Sequence, residues 1–390
     1  MPPVQPRTGA DRCPGVLSTH EARDGALARI RLPGGRIRPD QLAVAARVAQ
    51  DHGDGHLELT SRGNVQLRGL HDPDAAADAL LAIGLGSPGA ADTIRNIIGS
   101  PLAGRIGGHG SIDETITTLD EALRGAPITG LSGRFLFGVD DGRGDVLAQH
   151  PDVAVQWRPD GHVTLIVADT TVGVLPRVEA VGALLAAARA FASAASGSWR
   201  IRELDDTGRE ALIATLVGGL PAMTDQVTPG QPVTADDESP LVGWFGQDDA
   251  QVLLGAVTPA GRLPARTAEF LAAVQAPIII TPRREILLAD LTEPVAETAL
   301  RVLAPIGLIF DAESPWARLS CCTGQPGCAK SHTDVRIDTA GHAARDRADL
   351  PPNGLREHWV GCSRGCGSPT APHLRVEAQP DGTYRRTRID

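Results

Sequence analysis

A five-residue signature occurs twice in this chain, and a duplicated unit restricts the fold more tightly than any compositional feature. In the first copy Thr60, Arg62, Val65, Leu67 and Leu70 follow one another; in the second, Thr281, Arg283, Ile286, Leu288 and Leu291 stand at the same offsets. Each copy opens on a Gly-Arg-aliphatic start, Gly35-Arg36-Ile37 and Gly261-Arg262-Leu263. Thr60 comes 25 residues after Gly35 and Thr281 comes 20 after Gly261, so the loops differ while the unit persists. A helical stretch lies inside each copy, Gln41–Gln50 and Thr267–Val274. Val65 and Leu67, like Ile286 and Leu288, alternate as half-buried strands do. Each unit therefore reads as strand, helix, strand, turn, strand. Such a unit cannot cover its own sheet, and two copies are expected to pack about a pseudo-twofold axis.

At 390 residues the chain exceeds one ordinary core, and two or three domains are expected. Between the copies, Asp92–His109 is rich in Gly and Arg and reads as a binding loop. Leu131–Val139 reads as a strand that Arg134 starts, with a turn from Asp140 to Gly144; Val153–Trp157 and His162–Val167 read as two more strands. Pro176–Ala195, Asp205–Leu216 and Glu293–Leu303 read as helices. Pro221–Pro240 carries four prolines among Thr, Asp and Gly, and is the expected linker.

Five of the six cysteines fall between Cys321 and Cys366. Four of them form two spaced pairs, Cys322-x5-Cys328 and Cys362-x3-Cys366, set among Gly and Pro. Glycine there lets backbone wrap closely around a compact inorganic centre. Four thiolates suit a [4Fe–4S] cluster or a four-coordinate zinc. Spacings of five and three are atypical of zinc, which prefers CxxC or closely related pairs, and favour iron–sulfur. On a helical turn Cys362 and Cys366 would point the same way. Cys321 is read as packing and Cys13 as a small buried residue.

Hydrophobic residues at 42% and charged residues at 22% describe a globular chain and exclude a disordered one. The net charge of −10 argues against non-specific nucleic-acid binding. The N-terminal residues have no apolar h-region, so no secretory signal is expected. Val181–Gly197 is alanine-rich, short and interrupted by Arg189, and reads as a buried helix and not a membrane span. A cytoplasmic location is expected, where clustered cysteines are more often metal ligands than disulfides.

Several familiar motifs fail. Gly84-Leu-Gly-Ser-Pro-Gly89 matches GxGxxG, but it follows a helical stretch (Asp74–Ile83), whereas a dinucleotide site needs a strand before it and a helix after. It reads as a helix C-cap and turn. Lys330 is the sole lysine and lies among the cysteines, which removes a Walker lysine. HExxH and CxxCH are absent. The arginines carry more: Arg62 and Arg68 flank the first repeat's turn and strand, Arg95 lies in Thr93-Ile-Arg-Asn96, and Arg105 and Arg134 lie nearby in sequence. Several guanidiniums in loops of one face predict a polyanion pocket.

Thr60-Ser-Arg-Gly-Asn-Val-Gln-Leu-Arg-Gly69, its partner at Thr281, Thr93-Ile-Arg-Asn96 and the four spaced cysteines together resemble the nitrite/sulfite reductase superfamily, from about Cys13 to Arg375. The resemblance implies an α+β fold: duplicated ferredoxin-like half-domains related by a pseudo-twofold, plus α/β domains of the sirohaem/[4Fe–4S] type. The expected order is a first half-domain at 16–75, an α/β domain at 76–220 and a linker at 221–240, then a second half-domain at 241–295 and a cluster-binding domain at 296–390. It implies that Cys322, Cys328, Cys362 and Cys366 hold a [4Fe–4S] cluster, with Cys366 in the position that bridges to the tetrapyrrole iron in the reductases. Arg62, Gln66, Arg68, Arg95, Asn96 and Arg134 would line a tetrapyrrole cleft.

Within that superfamily the chain is similar to the precorrin-3B synthase branch. The likeness rests on Cys13-Pro-Gly15, Asp24-Gly25-Ala-Leu and Ile30-Arg-Leu-Pro-Gly-Gly-Arg36. The reductases hold a small anion with two arginines and two lysines; Arg62 and Arg95 match the arginines, whereas the lysine pair corresponds here to Arg134 and Leu136. This branch implies O2-dependent hydroxylation of precorrin-3A at C20 with γ-lactone closure. Electrons would come from an external ferredoxin or NAD(P)H-linked reductase, with no nucleic acid or membrane as partner. Sirohaem is implied only by the alternative, a sulfite or nitrite reductase. The sequence names no catalytic residue.

Overall fold

A computed structural model of the chain describes residues 11–195, 197–219, 239–345 and 355–389. The expected linker Pro221–Pro240 lies, except for its last two residues, outside them. The chain divides into two compact units: Met1–Ser18, Arg31–Gly35 and Ser87–Asp237 form one, and Thr19–Ile30, Arg36–Gly86 and Glu238–Asp390 the other.

In chain order, the first repeat contributes β1 (His20–Ala22), β2 (Gly25–Ile30), β3 (Arg36–Ile37), α1 (Pro39–His52), β4 (His56–Leu59), β5 (Val65–Leu70) and α2 (Pro73–Ala82). The middle segment gives α3 (Ala91–Ile94), β6 (Ile97–Gly99), α4 (Asp113–Gly125), β7 (Phe137–Asp140), β8 (Val153–Trp157), β9 (His162–Val167), β10 (Thr170–Pro176), α5 (Ala180–Ala194) and α6 (Asp206–Gly219). The second repeat follows with β11 (Gly243–Gly246), β12 (Val252–Ala256), β13 (Arg262–Pro264), α7 (Ala265–Ala273), β14 (Ile278–Ile280), β15 (Ile286–Leu291) and α8 (Glu293–Leu303). The chain closes with β16 (Leu319–Cys321), α9 (Val335–Ala343), β17 (Arg356–Val360), β18 (His373–Ala378) and β19 (Tyr384–Ile389).

The two repeats complete each other. One sheet runs β1-β2-β5-β4-β13 and the other β11-β12-β15-β14-β3. The strand that opens each copy therefore leaves its own sheet and pairs antiparallel with the central hairpin of the other, Leu263 opposite Leu57 and Ile37 opposite Ile278. Helices α1 and α7 pack together. This reciprocity is what duplicated ferredoxin-like half-domains related by a pseudo-twofold require, and it makes the fold α+β.

The recurring threonine has a local cause. Thr60 Oγ1 accepts from the amides of Arg62 and Asn64 at 3.4 and 3.1 Å, and Thr281 Oγ1 accepts from those of Arg283 and Glu285 at 3.2 Å each. The hydroxyl holds the hairpin turn in both copies, a common use of threonine beside a tight turn. The residue after the turn arginine is left-handed both times: Gly63 and Arg284 have φ of 64°. Glycine adopts that conformation freely, while an arginine does so at a cost of about 1–2 kcal/mol.

The other unit holds a five-stranded sheet, β10-β9-β8-β7-β6, parallel from β6 to β8 and antiparallel beyond. Helices α4, α5 and α6 bury Leu119, Leu184, Phe191 and Leu212 against Phe135, Phe137, Val155 and Leu165. The apolar stretch read as a buried helix is α5, with Ala183, Leu184, Ala187, Ala188 and Phe191 buried. Among the described residues no helix is long and apolar enough to cross a membrane.

Three expectations need correction. The strand predicted over Leu131–Val139 starts only at Phe137. Before it, side chains take the backbone groups that a neighbouring strand would need. Asp11 accepts from the Gly133 amide at 2.7 Å, Ser132 Oγ from Arg134 at 3.0 Å and Asp152 from Leu136 at 2.8 Å, while Asn96 donates to the Gly133 and Phe135 carbonyls. Arg134 thus stands in a turn. Cys13 is half-buried and not buried. The GxGxxG match does close a helix: the amides of Gly84 and Leu85 donate to the Leu81 and Leu80 carbonyls at 3.0 and 2.9 Å. The third correction concerns Cys362 and Cys366, whose segment is not helical.

Candidate metal centre

The two cysteine loops are neighbours because two parallel strands end side by side. Strands β16 and β17 pair in parallel, with Cys321 opposite Trp359, and α9 lies on the crossover between them. Cys322 directly follows β16 and opens the loop to Cys328. Cys362 lies two residues beyond β17 and opens the loop to Cys366. The carboxyl ends of parallel strands are the usual binding edge of such a sheet. The Cys322 amide donates to the Trp359 carbonyl at 2.9 Å, and the Gly361 amide donates to Cys322 Sγ at 3.3 Å. Burial pushes the Cys322 thiol above its ordinary pKa, and nearby Cys366 and Cys328 push in the same direction. Cys362–Cys366 forms a turn through Gly365, at φ 61°, whose amide faces the Cys362 carbonyl at 3.4 Å.

Four thiols on two neighbouring loops are a donor set that an iron–sulfur centre can use. Tetrahedral zinc with Zn–S bonds of about 2.3 Å needs its sulfurs about 3.8 Å apart. Among the described residues, the one group of three or more metal-ligating side chains with ligand atoms within 4.8 Å of one another is a trio of aspartates. Cys321 is buried on β16 among Leu319, Val335 and Trp359. Burial pushes its thiol up to about 12, with Cys322 adding to the rise.

Side chains that the sequence reading did not name fix the second cysteine loop by its carbonyls. Arg375 donates to Ser363 O at 2.6 Å, and Arg284 to Gly367 O at 2.6 Å and Leu59 O at 3.2 Å. His358 Nε2 faces Cys366 O at 3.0 Å and its Nδ1 faces Ser320 Oγ at 2.8 Å. Burial, with Arg284 next, lowers the His358 pKa to about 3. The ring is therefore neutral, so Nε2–H donates to Cys366 and Nδ1 accepts from Ser320. Arg284 did leave a mark in the sequence: it stands where the first repeat has Gly63.

Of the six residues expected to bind a tetrapyrrole, three lie in the same unit as the cysteines. Arg62 is half-buried in the turn between β4 and β5. Gln66 is buried on β5, accepting from Arg29 and donating to Glu58, each at 2.9 Å. Arg68 pairs with Asp24 at 2.8 and 3.0 Å and donates to the Gly327 carbonyl at 3.2 Å, next to Cys328. Burial pulls the Arg68 pKa down, but the Asp24 bonds outweigh it and the guanidinium is held more tightly charged.

The other three lie in the second unit. Arg95 is fully buried, with Asp120 at 2.7 Å and the Ala91 carbonyl at 3.0 Å as acceptors. Asn96 braces the turn ahead of β7 as described above. Arg134 is exposed over the Trp199 ring, 5.0 Å from its centroid. Leu136 is buried with Ile98 and Val146, so position 136 offers no cation to a ligand. The Cys13-Pro-Gly15 start packs in this unit too; a Cβ on Gly15 would meet Asp92 at 2.0 Å.

The aspartate trio Asp140, Asp141 and Asp145 carries a pH prediction. Burial, and then Asp140, raises the Asp145 pKa to about 7, while Ser100 at 2.6 Å offsets part of that. A carboxyl whose native pKa exceeds its unfolded 3.8 stabilises the fold at low pH and loses that contribution as pH rises through about 7. Asp145→Asn should therefore raise the unfolding temperature more at pH 8 than at pH 5. A quarter of the side chain is exposed, which limits the size. Equal shifts at both pH values, measured by calorimetry, would contradict the assignment.

Residues 20–81 match the family described as the nitrite/sulfite reductase ferredoxin-like half domain. Among solved structures, the Mycobacterium tuberculosis NirA protein superimposes with a TM-score of 0.71 at 16% identity, covering 98% of this chain and 77% of that one. With the reciprocal half-domains, these findings give the chain the nitrite/sulfite reductase fold. In sequence it is 26% identical over 396 residues to the precorrin-3B synthase of a Sinorhizobium species, covering 96% of this chain and 82% of that protein. It is also 26% identical over 392 residues to the ferredoxin–nitrite reductase of Synechococcus elongatus, covering 88% and 74%.

Proposed function

We propose that the chain is a cytoplasmic monooxygenase of the precorrin-3B synthase type. It would hydroxylate precorrin-3A at C20, after which a ring-A acetate closes a γ-lactone. One atom of O2 enters the macrocycle and the other leaves as water, with two electrons from a ferredoxin or an NAD(P)H-linked reductase. The single observation that carries the reading is the pair of cysteine loops at the ends of two adjacent parallel strands. The similarity across nearly the whole chain to a precorrin-3B synthase agrees with it. A [4Fe–4S] cluster held by Cys322, Cys328, Cys362 and Cys366 would supply single electrons.

The protein's own residues would bind and orient the polycarboxylate. Arg62, on the short turn between β4 and β5, is proposed to take one carboxylate in bidentate fashion. Gln66, bonded to Arg29 and Glu58, and Arg68, bonded to Asp24 and the Gly327 carbonyl, are proposed to position the strand and loop beside that contact. Arg62→Ala should weaken tetrapyrrole binding about tenfold or more, the effect of losing a charged hydrogen bond of about 1.5–3 kcal/mol. Iron content should stay unchanged. Unaltered affinity in a fluorescence-quenching titration would remove Arg62 from the site.

The similarity to a ferredoxin–nitrite reductase supports a second reading, a sirohaem-dependent sulfite or nitrite reductase. Purified protein separates the two. A sirohaem spectrum with sulfite or nitrite turnover would overturn the oxygenase reading. Conversion of precorrin-3A in the presence of O2 and reductant, without sirohaem, would support it.

A further inference from the structure

We infer that Arg284 is the counter-cation of the metal centre, a built-in positive charge that favours the centre's reduced state. The inference rests on the iron–sulfur reading of the four cysteines. Three arginines hold the cysteine loops, but two of them bring their own counter-charge. Arg68 is paired with Asp24 at 2.8 Å, and Arg375 with Glu377 at 2.8 Å. Arg284 makes its hydrogen bonds to two carbonyls, Leu59 O and Gly367 O, and forms no ion pair among the described residues. Of the groups whose charge acts on it, the buried Cys321 thiol comes first and Glu58 next, and Glu58 is already engaged by Arg336 and by Gln66.

A buried cation without a counter-charge is unfavourable in a folded protein unless something negative completes it. The chain nevertheless builds a place for this one. Gly261 leaves room for the side chain, since a Cβ there would meet Arg284 Cδ at 2.8 Å. Gly367 lets the guanidinium approach, with Nη2 3.0 Å from where a Cβ would stand. The backbone accepts a left-handed arginine at φ 64° where the first repeat has Gly63. Gly367 is the residue after Cys366, so the cation sits against the last ligand's loop. An iron–sulfur core with four thiolates is net negative, and reduction adds one more negative charge. A nearby cation stabilises that added charge, and net charge and surroundings are what set the potentials of such centres.

The test compares Arg284→Gly and Arg284→Lys with the unmodified protein. Glycine reproduces the backbone of Gly63, so it removes the cation without adding strain; lysine keeps the charge. Iron and sulfide per chain and the midpoint potential are measured by anaerobic titration followed by electron paramagnetic resonance. Arg284→Gly should retain iron while its reduced-to-oxidised ratio at a fixed poise falls at least tenfold, 59 mV for a one-electron couple. Arg284→Lys should change that ratio less than threefold. A glycine variant with full iron and an unshifted potential would overturn the inference. If the glycine variant binds no iron, the lysine variant decides: wild-type iron and potential support the inference, and loss of either overturns it. An unmodified protein without iron and sulfide would instead sink the cluster reading, before any variant is compared.

Discussion

Cys362→Ser and Cys366→Ser should each abolish the broad brown absorbance of the purified protein and reduce its iron and sulfide to background. Both residues lie in a loop whose carbonyls are fixed by Arg375, His358 and Arg284, so a serine would stand in the ligand's place without its soft thiolate. The effect should be all-or-none because such a cluster is held by four cysteine thiolates and each variant removes one of them. Cys321→Ser is the contrast. Its side chain is packed in the small core beside β16, away from the ligand role, and iron should be retained. Full iron in Cys362→Ser, or loss of iron in Cys321→Ser alone, would refute the ligand assignment.

Gly361→Ala should damage the same site from the backbone side. A Cβ at this position would lie 1.8 Å from Ser331 Oγ and 2.8 Å from Ser331 Cβ. Turning the hydroxyl away relieves the first clash and leaves the second, so backbone must move. Ser331 is itself tied to the Thr333 carbonyl at 2.8 Å, and the Gly361 amide is the group that donates to Cys322 Sγ. Overpacking of this kind costs about 1–3 kcal/mol. Chemical denaturation should show a loss in that range, and iron per chain should fall with it. A variant with wild-type stability and iron would mean that the close approach of Gly361 to Ser331 is not needed.

The sequence was most legible where structure is made locally. The Thr-x-Arg turns could be recognised because the threonine hydroxyl bonds within its own turn, and that local bond was duplicated with the unit. Helices α5 and α8 were readable in the sequence, α5 from its alanine-rich apolar run. The exchange of β3 and β13 between the two sheets was not, since strands of two and three residues carry no pattern of their own and their partners lie more than two hundred residues away. Leu131–Leu136 has the composition of a strand, but Asp11, Asn96 and Asp152 capture its backbone groups from a distance. The spacing of Cys362 and Cys366 fitted a helical turn as well as the Gly365 turn that forms. For the metal centre, the cysteines were visible and their supports were not. His358, Arg375 and Arg284 act through carbonyls, and nothing in a sequence marks a carbonyl as needing a partner. Arg284 alone left a trace, as the residue opposite Gly63.

The central claim is that the chain oxygenates a reduced tetrapyrrole. Anaerobically purified protein should be incubated with precorrin-3A, a ferredoxin or NAD(P)H-linked donor and isotopically labelled ¹⁸O2, and the product weighed by mass spectrometry. The account predicts a lactone product carrying a single ¹⁸O atom per macrocycle. Recovery of unchanged precorrin-3A from protein that holds its iron and sulfide, together with turnover of nitrite or sulfite, would contradict it.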